Sequence, residues 1–230
     1  MPHKLIRASL LLLTLGACAS FRRAPAPVNT PELPIVSDTA ADSLLVDVQR
    51  VDSSLVVELR YATSNNFTGA PLPGYQGSHA YLRDEVAVAL SLVNTDLHRD
   101  GFGLKIFDAY RPYGITEKMW APKNVGFVAD PAKGSKHNRG AAVDLTVIDL
   151  NGGQELEMPS AYDEFTDRAH RDYMASSTLA LANRAKLEDV MKRHGFEPLP
   201  TEWWHFDFGG WQRFDLMDVP LQSLEAREHR

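Results

Sequence analysis

Apolar residues in the stretch LRDEVAVALSLVNTDLHRD, residues 82–100, recur at helical spacing and predict an amphipathic helix. LLVDVQ (44–49) and LVVELRYA (55–62) are instead β-branched and partly alternating, which predicts strands. LKIFDAY (104–110) and AAVDLTVIDL (141–150) read as two further strands, and EWWHFDFG (202–209) as a short aromatic one. NNFTGAPLPGYQG (65–77) is a loop by its Gly, Pro and Asn content. RPYG follows the strand at 104–110, and Pro112 suits the first turn of a helix. The stretch 168–195 is helical, in one piece or two, with Gly195 as its stop signal. Helices and strands mix without regular βαβ alternation. The expected class is therefore α+β, with an antiparallel central sheet flanked by helices.

The first residues follow another pattern. Lys4 and Arg7 precede an apolar run at Leu10–Leu15, and small residues follow. That is the layout of a secretory signal, too short to span a membrane. The chain's one cysteine, Cys18, closes LGAC, which resembles a bacterial lipobox. In such signals the cut falls before the cysteine, which then carries lipid. Each buried CH2 of an acyl chain contributes about 0.8 kcal/mol to anchoring. Residues 21–40 are rich in Pro and small polar residues and read as an extended tether. The expected organisation is a lipoprotein-type signal peptide at 1–17, anchor cysteine and linker at 18–42, and one domain at 43–230. The domain would be exported and held at the periplasmic face through lipid on Cys18 alone. Ala19 after the cysteine, rather than Asp, points to the outer membrane in a cell that has two.

Bulk composition narrows the class. The chain has 230 residues, 44% of them hydrophobic, enough for one well-filled core. Its net charge of -6, with no basic stripe, excludes nucleic acid as a partner. A single cysteine excludes an internal disulfide and any site built from several thiolates.

The chemistry concentrates in GSKHNRGAAVDLTV, residues 134–147. Small and apolar residues lead from His137 to Asp144, as in a loop that becomes a buried strand and carries a charge inward. A buried carboxylate needs a partner. His205, in TEWWHFDF, completes a set of two imidazoles and one carboxylate. Three such ligands suit one zinc ion with its fourth position open, the catalytic type of site. The metal would then be the partner that Asp144 requires. Glu202 precedes His205 by three residues and sits just outside the aromatic strand. It is placed to act as general base, with a pKa tuned by the dry surroundings of Trp203 and Trp204. Among eight histidines a His-x6-Asp pair is weak by itself, and EWWH alone fits an aromatic edge strand. Together they are a much stronger signal.

SKHNRGAAVD fits Ser-x-His-x-x-Gly-x-Ala-x-Asp through Ser135, His137, Gly140, Ala142 and Asp144, and EWWH fits Glu-x-x-His. Both resemble the zinc metallopeptidase group of D-Ala-D-Ala carboxypeptidases, lysostaphin-like endopeptidases and the hedgehog signalling domain. LRYATSNNFTG (59–69), DAYRP (108–112) and MPSAYD (158–163) narrow the resemblance to the VanX-type D-alanyl-D-alanine dipeptidases. It runs from about Val51 to about Phe208. The resemblance implies zinc on His137, Asp144 and His205, with Glu202 as general base and acid. It implies that Arg111 stabilises the oxyanion and that Asp108 braces Arg111. Asp163 would hold the ammonium of a D-amino-acid dipeptide, Tyr61 would line the pocket, and Ser135 would meet the substrate carboxylate. The implied reaction is hydrolysis of D-Ala-D-Ala in cell-wall peptide turnover. The rivals are a D,D- or L,D-carboxypeptidase acting on longer wall peptides and a non-catalytic wall-binding lipoprotein. Lys136 departs from the pattern, which commonly has a second small hydroxyl residue there.

Overall fold

A five-stranded sheet carries the site. Its spatial order is β3 (Val56–Val57), β5 (Phe102–Asp108), β6 (Ala142–Asp149), β8 (His205–Phe208) and β7 (Phe196–Pro198). The computed structural model describes residues 35–36, 44–120 and 127–228, all within one compact unit spanning Pro31–Arg230. The expected signal peptide and Cys18 lie outside the described residues. Within the stretch read as tether, Ile35–Val36 form a short strand β1 that pairs in parallel with β9 (Leu216–Met217).

The sheet is antiparallel except at one edge, where β3 runs parallel to β5. A separate antiparallel pair joins β2 (Leu45–Asp47) to β4 (Tyr81–Arg83). Side chains alternate across a strand, so β6 and β8 each turn one face to the core and the other to the polar residues of the site. Val143, Leu145 and Val147 of β6 enter the hydrophobic core together with Phe206 of β8 and Leu104 and Ile106 of β5. The long helices α2 (Asp84–Arg99) and α4 (Thr178–Arg193) add Val86, Leu90, Val93, Leu187 and Met191 to that core. Asp144 of β6 and His205 and Asp207 of β8 occupy the opposite face.

Several predicted elements are shorter than expected. LLVDVQ yields only β2, because the Asp47 side chain accepts from the Gln49 N–H and starts the one-turn helix α1 (Val48–Val51). LVVELRYA yields β3 and then a 3-10 turn, Arg60–Ala62, which carries Tyr61 inward. The stretch 168–195 is one helix, not two. Its first part is a 3-10 turn, Asp167–Ala169, capped by Thr166. Beyond that turn the backbone serves other segments, with Trp203 N–H donating to Ala169 O and Arg171 N–H to Pro200 O. Helix α4 starts only where Ser177 Oγ accepts from Ala180 N–H, and it ends before Gly195 at φ +85°. Helix α3 (Tyr113–Met119) follows RP as expected, but Pro112 stands just before its first turn, as the N-cap. The last helix, α5, is Leu221–Glu228. Among the described residues no helix is long and apolar enough to cross a membrane.

Candidate active site

Strand register assembles the centre. Asp144 lies opposite His205 on β8 and opposite Asp108 on β5. The pairing of β5 with β6 shifts between Ile106 and Asp108. Without that bulge Asp108 would share the face of Ile106 and point into the core. The extra residue turns it to the face of Asp144, the usual effect of a bulge on the side chain that follows. His137 arrives from a 3-10 turn, His137–Arg139, closed by Gly140 at φ +65°. A Cβ on Gly140 would stand 2.5 Å from Leu45 Cδ2 and 3.2 Å from Arg83 N, so the turn seats against β2 and β4 only with glycine there.

The three expected ligand residues converge. His137 Nε2 lies 3.2 Å from His205 Nδ1 and 3.4 Å from Asp144 Oδ1, and His205 Nδ1 lies 2.9 Å from Asp144 Oδ1. Ligand atoms about 2.0–2.1 Å from a tetrahedral zinc stand about 3.3 Å from one another, so these spacings fit that ion. The surrounding bonds also fit. His137 Nδ1 donates to Ala109 O at 2.7 Å, and His205 Nε2 donates to Asp207 Oδ1 at 2.8 Å. Each ring thus turns its free lone pair toward the other ligands, the usual support of a metal-bound histidine. Tyr162 Oη donates to Asp144 Oδ2 at 3.1 Å, which leaves Oδ1 for the metal. Burial disfavours charge on His205, but Asp144 and Asp207 outweigh it and raise its pKa to about 10. Burial likewise raises Asp144, yet His137 and His205 hold it well below the usual carboxylate range. Such a pocket is built to hold a cation.

Glu202 sits in the turn before β8, which begins at His205 rather than at Trp203. Its Oε1 is buried and meets no hydrogen-bond partner among the described residues. Burial, reinforced by Asp144 and Asp163 and opposed by His205 and Arg111, pushes its pKa up to about 8. Trp203 and Trp204 are both buried, and Trp203 Nε1 donates to Ser160 Oγ at 2.9 Å.

Arg111 is gripped on one side. Its Nε and Nη2 donate to Asp108 Oδ2 at 2.9 and 2.6 Å, and its guanidinium lies 5.2 Å from the centre of the Tyr61 ring. Burial works against its charge, but Asp108 and neighbouring acids keep it firmly protonated. Tyr75 Oη donates to the other oxygen of Asp108. Asn138 Nδ2 donates to Arg111 O, and Asn138 Oδ1 accepts from Ser135 N–H, both at 2.8 Å. The arginine and the His137 turn are thereby one unit.

Asp163 is the only non-glycine residue at positive φ among the described residues, at +59°. Asp tolerates this region, and here it aims the carboxylate at the cavity. Tyr61 Oη donates to its Oδ1 at 3.1 Å and Phe67 N–H to its Oδ2 at 3.2 Å. Burial, helped by the charge of Asp144, raises its pKa to about 7. Ser135 Oγ accepts from His137 N–H at 3.2 Å. Lys136 Nζ lies 3.3 Å from Asp207 Oδ2 and 5.3 Å from the centre of the Trp211 ring. Tyr61, Arg111, Ser135, His137, Asp144, Asp163, Glu202 and His205 all line one cavity of about 270 Å³. Asp108 lies behind that wall, fully buried.

Residues 41–220 match the Peptidase M15 family, described as D-Ala-D-Ala dipeptidase. The chain belongs to this family. It is similar to the D-alanyl-D-alanine dipeptidase of Escherichia coli (strain K12), 35% identical over 75% of this chain and 86% of the relative. A second relative, the D-alanyl-D-alanine dipeptidase of Enterococcus faecium, is 30% identical over 65% of this chain and 83% of its own length. Among solved structures, VanYB in complex with D-Alanine-D-Alanine covers 71% of this chain and 89% of its own, at 14% identity and a TM-score of 0.39. So loose a superposition adds nothing to the site.

For this M15 peptidase the sequence left four supports unassigned. Asp207 had a readable signal, since residues two apart on a strand share a face and His205 lies two before it. Tyr162 stands in MPSAYD beside Asp163 but holds Asp144 instead. The Ala109 carbonyl and the Asn138 amide act through backbone geometry that no residue type announces.

Proposed function

We propose that the chain is a zinc dipeptidase that hydrolyses D-Ala-D-Ala to two D-alanines. The observation that carries this reading is one small cavity holding the triad His137, Asp144 and His205, the Glu202 carboxylate, whose Oε1 meets no partner among the described residues, and the braced Arg111. His137 Nε2, His205 Nδ1 and Asp144 Oδ1 would hold the zinc. Bound there, zinc would supply a Lewis acid that acidifies the attacking water and polarises the scissile carbonyl.

The chain's own groups do the rest. Glu202 takes a proton from the attacking water, and its raised pKa lets it keep that proton in a dry site. Arg111 faces the negative charge that develops on the carbonyl oxygen, and Asp108 keeps it aimed without reorganisation. Glu202 then protonates the leaving amine as the C–N bond breaks, so water supplies both the new carboxylate oxygen and the amine proton. Asp163 captures the substrate ammonium. Its two donors, Tyr61 Oη and Phe67 N–H, are neutral, and no ion pair satisfies it among the described residues. A bound ammonium provides that missing charge. A peptide extended at its amino end would bury no ammonium there, which favours dipeptides. Ser135, on the wall of the same cavity, would meet the carboxylate end.

The cellular reading rests on residues 1–42. A lipobox cysteine at Cys18 and a Pro-rich tether favour an exported, lipid-anchored enzyme. It would meet dipeptide released from the wall, in recycling or nutrient scavenging. Glu202→Gln tests the chemistry. This variant should bind zinc as the parent does and lose at least about a hundredfold in kcat, the scale of a general base. Normal turnover would remove Glu202 from its role.

A further inference from the structure

A second cavity, of about 480 Å³, opens beside the catalytic one. The two share Val128, Ala129, Ser135 and Lys136. Tyr61, Asp163 and Phe165 line only the first. A dipeptide with its ammonium on Asp163 and its carboxylate by Ser135 therefore directs its second residue toward this second space. The side chain there is a methyl in D-Ala-D-Ala, which leaves the space unused.

The walls have a definite chemistry. Trp120 and Trp211, both half-buried, give flat apolar surface. Lys133, Lys136 and Arg139 bring three cationic side chains against one carboxylate, Asp130. Asp130 Oδ1 is already engaged by Ala132 N–H at 2.9 Å. Lys136 is partly neutralised by Asp207, and Arg139 lies 5.4 Å from the Trp211 ring centre. Lys133 is exposed and forms no ion pair among the described residues. Such a pocket suits a short aliphatic stem that ends in an anion.

We infer that this second cavity is a subsite for the second residue of the substrate, and that it selects dipeptides whose second residue carries an acidic side chain, such as D-Ala-D-Glu. The inference rests on the dipeptidase reading and deepens it. The methylenes of the D-Glu side chain lie along the tryptophans, and its carboxylate reaches Lys133 and Arg139. The reaction is the same hydrolysis and releases D-alanine and D-glutamate.

The test compares kcat/KM of the zinc-loaded protein for D-Ala-D-Glu, its uncharged isostere D-Ala-D-Gln, and D-Ala-D-Ala. The inference predicts D-Ala-D-Glu over D-Ala-D-Gln by about fivefold, the size expected of one or two half-exposed ion pairs. The ratio should fall toward one in high salt, which screens such pairs. It should fall below one in Lys133→Glu, measured as a ratio within the variant so that changes common to both substrates cancel. Cleavage of D-Ala-D-Ala with no preference for Glu over Gln overturns the inference and leaves the dipeptidase reading standing. A preference that Lys133→Glu and salt leave unchanged also overturns it. Failure to cleave any of the three overturns the dipeptidase reading and the inference with it.

Discussion

Each imidazole of the ligand set is fixed by the nitrogen that faces away from the other ligands. For His205 that partner is Asp207, itself 3.3 Å from Lys136 Nζ. Removing the charge while keeping the shape should loosen the ring without emptying the site. Asp207→Asn is therefore expected to weaken zinc binding about 10- to 100-fold, as measured by competition with a chromophoric chelator. Unchanged affinity would make Asp207 a bystander. Asp163 gives a pH prediction. Its pKa of about 7 means that the free enzyme gains the ammonium-binding carboxylate as pH rises through 7. Accordingly kcat/KM should climb with pH there, since that ratio reports the free enzyme. Once bound, the ammonium favours the charged carboxylate, so kcat should lack this limb. Asp163→Asn should raise KM at least about tenfold and move the rise in kcat/KM up toward pH 8, where only ionisation of the general base Glu202 is left to set it; a rise that stays at 7 would assign the limb elsewhere. The candidate ligands and Glu202 stood out in the sequence because their spacing is itself chemical: a loop histidine, small residues, an inward acid. The partners that aim them are carbonyls, amides and a neighbouring strand residue, which spacing along the chain barely marks.

At the scale of elements, the site depends on register more than on any one strand. Asp108, Asp144 and His205 form a row across β5, β6 and β8, and the bulge at Asp108 is what puts the first of them in it. LKIFDAY and AAVDLTVIDL both read as strands in the sequence, yet nothing in LKIFDAY marks the extra residue, because bulges are set by pairing. The loss of strand in LVVELRYA and of helix at 168–177 has the same origin. In both places the backbone serves distant partners, with Leu72 N–H donating to Tyr61 O in one and Trp203 N–H to Ala169 O in the other. Gly140 joins the His137 turn to β6 at positive φ, against Leu45 and Arg83. Gly140→Ala should destabilise the domain by more than about 1 kcal/mol in denaturant unfolding, through left-handed strain added to the clash. A neutral result would mean that the turn relaxes freely and does not depend on this glycine.

Across the whole molecule, the hydrophobic core and the chemistry take opposite faces of one sheet. Two long helices keep one face dry, while loops after β5, before β6 and before β8 close over the other. The α+β class and flanking helices were legible from the kind and order of the elements along the chain. The parallel edge strand was not, since two residues of β3 carry no sign of direction. The division of labour explains how one cavity can hold a cation site, a dry carboxylate, an arginine and a separate anion for ammonium without dissolving the core. The central claim is that these act together on one substrate. The most direct test supplies the purified protein with zinc and measures D-alanine released from D-Ala-D-Ala, L-Ala-L-Ala and a wall pentapeptide ending in D-Ala-D-Ala. The account predicts release from the D,D-dipeptide, none from the L,L-dipeptide and little from the pentapeptide. Cleavage of the pentapeptide in preference to the dipeptide would contradict it, and so would zinc binding with no hydrolysis of any of the three.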